Sequence, residues 1–200
     1  IIEDTVKDYI ATVNGYNVTN SYEPKQISFS VQTIWNDGNN QDGKRPESVT
    51  VKLLADGENT GRAINLTEAG DWKSEFSNLD EYKNGKKIVY TIEEVGITDI
   101  ETGELLYSTD ISGNVGIGFI LTNSYTPKTI DVIGSKMWID GDNQDGKRPD
   151  SIKINLYKKL GTDSPKFVET KTVTAAENWE WKFEDLPKYE NGTEISYSII

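Results

Sequence analysis

The chain has 200 residues, and its 33 acidic and 21 basic side chains give a formal net charge of −12, so nucleic acid and anionic membranes are not expected as partners. It contains no Cys and no His, which excludes disulfides, thiolate metal sites, Ser-His-Asp hydrolases and His-ligated metalloenzymes. No metal or cofactor is expected. No apolar run approaches the roughly 20 residues of a membrane helix. The only enzyme class that this composition leaves open is a hydrolase that uses carboxylates alone.

Alternating apolar and polar residues predict short β-strands along the chain. The alternation is clear in residues 27–35, 49–53, 88–92 and 119–123. Asn-Gly and Asp-Gly pairs, which favour tight turns, separate these segments. No segment shows a convincing helical period with caps. Since about seven short strands per 100 residues are typical of a β-sandwich, we predict an all-β fold.

The sequence repeats itself internally. Gln41–Pro46 and Gln144–Pro149 are identical, and the same offset relates Thr19–Tyr22 to Thr122–Tyr125. The repeats divide the chain into residues 1–24, the last strands of one repeat; 25–128, a complete repeat; and 129–200, a repeat without its last strand. We interpret the fragment as one period of a longer array that is cut out of phase with its domains.

Three polar residues fall on strand positions that alternation assigns to the core. Lys136 follows Ile130, Val132 and Gly134 on one face, Glu94 follows Tyr90 and Ile92, and Asn123 follows Phe119 and Leu121. Desolvation of a buried charge costs roughly several kcal/mol unless the charge is paired or neutralised. The alternative is a lysine whose stem packs inside while its ammonium reaches solvent at the edge of the sheet.

One reaction uses all three groups. A desolvated lysine presents a neutral amine, and a desolvated glutamate stays protonated and donates a hydrogen bond to the asparagine carbonyl. The amine attacks the asparagine side chain and ammonia leaves. The product is a Lys–Asn isopeptide bond between the first and last strands of a domain.

The chain resembles the B-type repeats of the collagen adhesin of Gram-positive bacteria, the Cna B domain. The family implies tandem seven-strand, inverse immunoglobulin-like sandwiches and a spontaneous Lys–Asn bond assisted by Glu or Asp. It also implies a stalk role in wall-anchored adhesins and pilins. The residues that carry the resemblance are Trp35, Asn40–Pro46, Tyr90–Glu94 and Leu121–Asn123 in one copy, and Lys136–Trp138, Asn143–Ser151, Trp181–Tyr189 and Ile195–Tyr197 in the other.

The complete repeat departs from the family pattern at one position. The resemblance makes Asn123 the acceptor of the cross-link and Glu94 the carboxylate that promotes it. The family lysine lies two residues before Trp35, and Thr33 occupies that position here. Threonine supplies no amine, so we expect Asn123 to be unlinked.

The second repeat has the lysine, Lys136, and no asparagine strand of its own. The matching acceptor and carboxylate in residues 1–24 are Asn20 and Glu3. The hypothesis is that Lys136 bonds or faces Asn20 of another copy, which links copies head to tail. The alternative is that the array is continuous and the ends of the fragment are arbitrary.

The resemblance predicts a structural spacer of a bacterial cell-surface protein, extracellular and held in the cell wall, with no turnover chemistry. Its expected partners are neighbouring repeats of the same protein. A host matrix ligand is expected to bind other domains. The rival interpretation is a ligand-binding β-sandwich that recognises a carbohydrate or a host matrix protein.

Overall fold

The fold is that of a computed structural model, which describes residues 3–200. Two 3-10 turns, Glu68–Gly70 and Ala175–Glu177, interrupt an otherwise all-β structure, so the predicted fold class is confirmed. The strands are β1 (Ile10–Asn14), β2 (Asn17–Ser21), β3 (Gln26–Asn36), β4 (Ser48–Ala55), β5 (Glu58–Thr67), β6 (Lys73–Asp80), β7 (Tyr82–Lys83), β8 (Lys86–Lys87), β9 (Tyr90–Glu94), β10 (Ser108–Asn114), β11 (Gly118–Ser124), β12 (Thr129–Ser135), β13 (Ser151–Leu160), β14 (Lys166–Thr174), β15 (Glu180–Pro187), β16 (Tyr189–Glu190) and β17 (Thr193–Ile199).

The chain divides into two compact units that are built from discontinuous segments. The first comprises the residues up to Ile34 together with 47–98 and 109–122, and the second comprises 35–46, 99–108 and 123–200. The sequence boundaries after residues 24 and 128 follow internal similarity and stay predictions.

The first unit contains two sheets whose inner faces form its core. One sheet has the strand order β10-β11-β3-β6 and the other has β5-β4-β9. The alternation predicted for β3 is confirmed, because Phe29 and Val31 are buried. The Phe29 ring lies 5.2 Å from Phe119 on β11 and 6.5 Å from Tyr90 on β9, centroid to centroid. The contact with Tyr90 therefore joins the two sheets, whereas Phe119 belongs to the same sheet as Phe29.

The second unit repeats this plan without counterparts of β10 and β11. Its sheets have the orders β12-β15 and β14-β13-β17-β16. Leu156, Val173 and Phe183 are the most deeply buried residues of its core. Strand β12 pairs with β15 on one side, and no strand in residues 3–200 pairs with its other side. That side of β12 is an open sheet edge.

The two Gln-Asp-Gly-Lys-Arg-Pro motifs form two loops of the same conformation, and both lie in the second unit. We call residues 36–46 the docked loop and residues 139–149 the open loop. In the docked loop the Asn40 amide donates to Asp37 Oδ1 at 2.9 Å, and in the open loop Asn143 donates to Asp140 Oδ1 at 3.0 Å. The glycines of the two motifs, Gly43 and Gly146, have φ angles of 66° and 61°.

The docked loop packs backbone to backbone against the β16–β17 turn. The Gly192 amide donates to the Gln41 carbonyl at 3.0 Å. A Cβ at Gly43 would lie 2.6 Å from Gly192 Cα, closer than real Cβ atoms approach. Asp42 Oδ2 accepts from the Tyr125 hydroxyl at 2.7 Å and from the Lys128 amide at 3.0 Å. The contact therefore needs glycine at position 43.

Gly43→Ala should lower the free energy of unfolding by about 1–3 kcal/mol more than Gly146→Ala, because only the former forces a methyl group into packed backbone. Both substitutions carry the same positive-φ cost, and a Cβ at Gly146 meets nothing within 4 Å. Urea denaturation of the two variants measures the difference. Equal losses would show that the backbone contact does not restrict position 43.

Candidate cross-link sites

Thr33 occupies a buried position that suits an apolar side chain or a partnered polar one. It lies on β3 with 3% of its surface exposed, and its amide donates to the Trp72 carbonyl at 2.9 Å. Within residues 3–200 its hydroxyl has no hydrogen-bond partner. The inward orientation predicted for this position is confirmed. A buried, unpartnered hydroxyl costs free energy.

Asn123 and Glu94 both lie on core-facing strand positions, as their alternation predicts. Asn123 is on β11 and is fully buried. Glu94 ends β9, where it pairs in register with the buried Val51 of β4, and it is half-buried. Glu94 Oε1 accepts from the Thr109 hydroxyl at 2.8 Å. Their roles as acceptor and promoting carboxylate stay predictions.

The prediction that Lys136 points into the core is wrong for this chain, because its side chain is exposed. Its amide donates to the Trp179 carbonyl at 2.8 Å, the same bond that Thr33 makes to Trp72. Lys136 therefore takes the position equivalent to Thr33, and its Nζ lies 5.2 Å from the centre of the Trp138 ring. The exposure follows from the open edge of β12, because no strand of the described chain covers the lysine.

Asn20 and Glu3 are brought together, as the sequence predicts. Asn20 lies on β2, in an exposed hairpin with β1, and its Nδ2 donates to Glu3 Oε1 at 2.9 Å. The expected hydrogen bond ran the other way, from a protonated acid to the amide oxygen. Because the pair is exposed, the carboxyl oxygen serves instead as the acceptor for the amide nitrogen. That nitrogen is the group that leaves as ammonia when an amine attacks.

The docked loop contains a buried charge cluster that sequence reasoning missed. Asp37 accepts from Arg45 Nε at 2.6 Å and from the second guanidinium nitrogen at 2.7 Å. Burial acts to raise the pKa of Asp37, but the hydrogen bonds from Arg45 and from the Asn40 amide outweigh it and hold the pKa below its usual value. One sequence pattern could have predicted this cluster: an Asp eight residues before an Arg occurs here and again as Asp140 and Arg148.

Two tyrosines complete the cluster. The Tyr107 hydroxyl donates to Asp37 Oδ2 at 3.1 Å, and the Tyr107 ring lies 5.5 Å from that of Tyr125. Burial and the neighbouring Asp37 carboxylate raise the pKa of Tyr107. Burial and the hydrogen bond to Asp42 raise the pKa of Tyr125. Both phenols therefore stay protonated donors well into the alkaline range.

Two kinds of feature are absent from the described residues. No group of three or more acidic side chains is placed to hold a metal ion. Among the same residues, no helix has the length and apolar character that a membrane crossing requires.

One family model matches the sequence of this chain twice. The family model of the Cna protein B-type domain matches residues 29–124 and again residues 132–200. This chain belongs to the Cna B-type domain family. The resemblance inferred from the motifs is thereby confirmed.

The relatives of this Cna B-type chain include a collagen adhesin of Staphylococcus aureus, 42% identical over 199 residues. The match covers all of this chain and 16% of that adhesin. A crystal structure of two B repeat units, B1B2, of the collagen-binding protein of S. aureus is 41% identical with a TM-score of 0.76. It is matched over 98% of this chain and 50% of its own. The structure of a single B1 unit of the same protein is 37% identical with a TM-score of 0.43, over 88% of this chain and 85% of its own.

Thr33→Val should raise the free energy of unfolding by about 1 kcal/mol, since it removes an unpartnered hydroxyl at nearly constant volume. Thr60→Val is the matched control, because the Thr60 hydroxyl donates to the Leu53 carbonyl at 2.8 Å and its loss should destabilise. Chemical denaturation of both variants measures the two effects. A destabilised Thr33→Val variant would mean that the hydroxyl has a partner in solution.

Stability should decrease at alkaline pH through the two tyrosines. Their pKa values are raised in the folded protein, so their contribution is complete below about pH 10, the unfolded value, and is lost as the pH rises further. Tyr125→Phe should flatten this decrease, measured by urea denaturation from neutral to alkaline pH. Tyr16, which is 91% exposed, gives the control variant Tyr16→Phe. A Tyr125→Phe profile that matches the control would refute the assignment.

Proposed function

We propose that this chain is a stalk segment of a bacterial surface adhesin, a structural spacer outside the cell with no turnover chemistry. The observation that carries the proposal is the double match of one structural family in tandem, over residues 29–124 and 132–200. A relative named a collagen adhesin, 42% identical over the whole chain, supports it. Anchoring in the cell wall of a Gram-positive bacterium is part of this proposal.

We also propose that Lys136 forms an isopeptide bond with Asn20 of another copy. The neutral Lys136 Nζ attacks Asn20 Cγ, the C–Nδ2 bond breaks, and the amide nitrogen takes the proton that the amine loses and departs as ammonia. The contact between Asn20 Nδ2 and Glu3 Oε1 supports a role for Glu3 in moving that proton. The cross-linked product therefore contains all the atoms of the two side chains except those of one ammonia.

The exposure of both partners supports a link between copies over a link within one. Lys136 is exposed beside the open edge of β12, and Asn20 is exposed on the β1–β2 hairpin. In the complete repeat, the position equivalent to Lys136 is Thr33 on β3. Strand β3 pairs with β11, the strand that carries Asn123. A β2 strand from another copy beside β12 would restore this arrangement and desolvate the amine. Since Thr33 has no amine, we propose no cross-link in the complete repeat.

A ligand-binding role has one observation in its favour. An open, mostly apolar groove of about 570 Å³ lies in the first unit. It is lined by Ile27, Ile88, Val89, Tyr90 and Val115, among others. Binding of collagen peptides or oligosaccharides that Val89→Asp abolishes would favour this role, and the stalk proposal predicts no such binding.

The cross-link has a direct test in the purified chain. The expected result is a ladder of products that survives boiling in denaturant, with each dimer lighter than two chains by one ammonia in intact-mass spectra. Lys136→Arg keeps the positive charge without a nucleophilic amine, and Asn20→Ala removes the acceptor, so each variant should abolish the ladder. The control Lys159→Arg, on β13, should retain it. A ladder that persists in Lys136→Arg, or dimers without ammonia loss, would refute the assignment.

A further inference from the structure

The apolar groove of the first unit is formed where the two sheets of the complete repeat end side by side. Its walls are the start of β3, the segment that leads into β9, and the turn between β10 and β11. Its volume of about 570 Å³ lies within the range of roughly 300–1,000 Å³ that is typical of small-molecule sites. Val89, in its lining, is 63% exposed. The groove therefore presents apolar side chains of the complete repeat to solvent.

One wall of the groove comes from a hairpin that is longer than its counterpart. Strands β10 and β11 have seven residues each, whereas the corresponding strands β1 and β2 have five each. The tip of the longer hairpin supplies Asn114, Val115 and Gly116 to the groove. The groove is therefore built in part by length that the shorter hairpin does not have.

The backbone along the groove is already hydrogen-bonded within the repeat. The Ile88 amide donates to the Glu81 carbonyl at 3.0 Å. The Val89 amide donates to Asp56 Oδ1 at 3.0 Å, and the Val89 carbonyl accepts from the Asp56 amide at 2.8 Å. An extended peptide that binds by adding a strand needs free backbone groups. This wall offers a ligand side chains instead, which suits an acyl chain better than a peptide.

A lysine-rich hairpin, β7–β8, borders the groove. Lys87 lines it, and its Nζ lies 3.1 Å from a carboxylate oxygen of Glu81. Since an ammonium has three N–H donors, Lys87 can bind a second acceptor. Lys83 pairs directly opposite Lys86, an arrangement of like charges that destabilises a strand pair. Within residues 3–200, neither of these two lysines lies within 4 Å of a carboxylate.

The corresponding hairpin of the second unit has the opposite charge. Counted from the Asn-Gly turn that both hairpins share, Lys83 and Lys87 take the positions of Glu190 and Glu194. Lysines of the second unit pair with both glutamates, at 2.5 and 3.6 Å. The complete repeat therefore concentrates positive charge beside its groove, in a chain whose net charge is −12. An anion bound there would offset this local repulsion.

Contact with a docked loop leaves these positions accessible. In the second unit the docked loop accepts a hydrogen bond from Gly192, yet the side chains of Glu190 and Glu194 are 41% and 66% exposed. Ser196, which takes the position of Val89, is exposed as well. The groove of the complete repeat is therefore accessible whether or not a loop contacts the turn beside it.

We propose that the groove binds a single anionic amphiphile, a fatty-acid carboxylate. Its acyl chain lies along the apolar lining, and its carboxylate accepts a hydrogen bond from Lys87 Nζ. Lys83 and Lys86, on the other face of the hairpin, attract the anion at longer range. The binding is noncovalent, and it depends neither on the stalk role nor on the cross-link.

The test is a calorimetric titration of the full chain with monomeric decanoate, in which we expect one saturable site. Shorter carboxylates should bind about fourfold more weakly for each methylene that the groove no longer buries. Decyltrimethylammonium has the same apolar chain with the opposite charge, so it should not compete with decanoate for the site. Added salt should weaken the binding of decanoate, because the lysines are exposed.

Two pairs of matched variants locate the site. Val89→Asp should abolish binding, because it places a carboxylate in the apolar lining, whereas Ser196→Asp, at the corresponding position of the second unit, should leave it unchanged. Lys87→Gln should weaken binding by about two- to fivefold, as expected for an exposed ion pair. Lys52→Gln is its control, since Lys52 pairs with Glu93 and does not line the groove.

NMR spectra of the methyl groups show directly where the ligand lies. The signals of Val89 and Val115 should shift on addition of decanoate. The absence of saturable binding, equal affinities of Val89→Asp and Ser196→Asp, or equal binding of the cationic amphiphile would each overturn the proposal. None of these results would change the ladder expected from the Lys136 cross-link, so the two proposals fail separately.

Discussion

The bidentate contact between Asp37 and Arg45 is the interaction on which the docked loop depends. It fixes a chain segment that has little apolar side chain of its own, and it holds the backbone of Gln41 and Gly43 where the β16–β17 turn can meet it. The carboxylate of Asp37 is buried, and charge-assisted bidentate hydrogen bonds are stronger than those between neutral groups. The equivalent contact between Asp140 and Arg148 shows that the loop needs no docking partner to adopt its shape.

The sequence predicts the parts of the structure that follow strand periodicity. Phe29, Val31 and Thr33 all face inward on β3, and Asn123 is buried on β11, because a central strand has covered faces and paired edges. The same reasoning failed at Lys136, where periodicity gives the direction of a side chain and not the presence of the neighbouring strand that covers it. Burial at a sheet edge depends on a second segment, which a pattern within one strand does not reveal.

Strand alternation could not predict the contacts of the two loops, for a different reason. The repeated Gln-Asp-Gly-Lys-Arg-Pro motif contributes to the family resemblance, and its Asp-Gly pair predicts only a tight turn. Its partners, Tyr107 and Lys128, are far away in sequence and belong to segments without alternation. The pairing of Asn20 with Glu3 was found because both have counterparts in the complete repeat, so similarity between copies located a contact that local patterns could not.

The meeting of Gly43 with Gly192 has a consequence for how such arrays change over evolution. The closest approach of the loop and the turn is between main-chain atoms of one unit, so substitutions that keep both glycines leave this approach unchanged. The side chains around the two glycines can then diverge in sequence while the loop and the turn keep their separation.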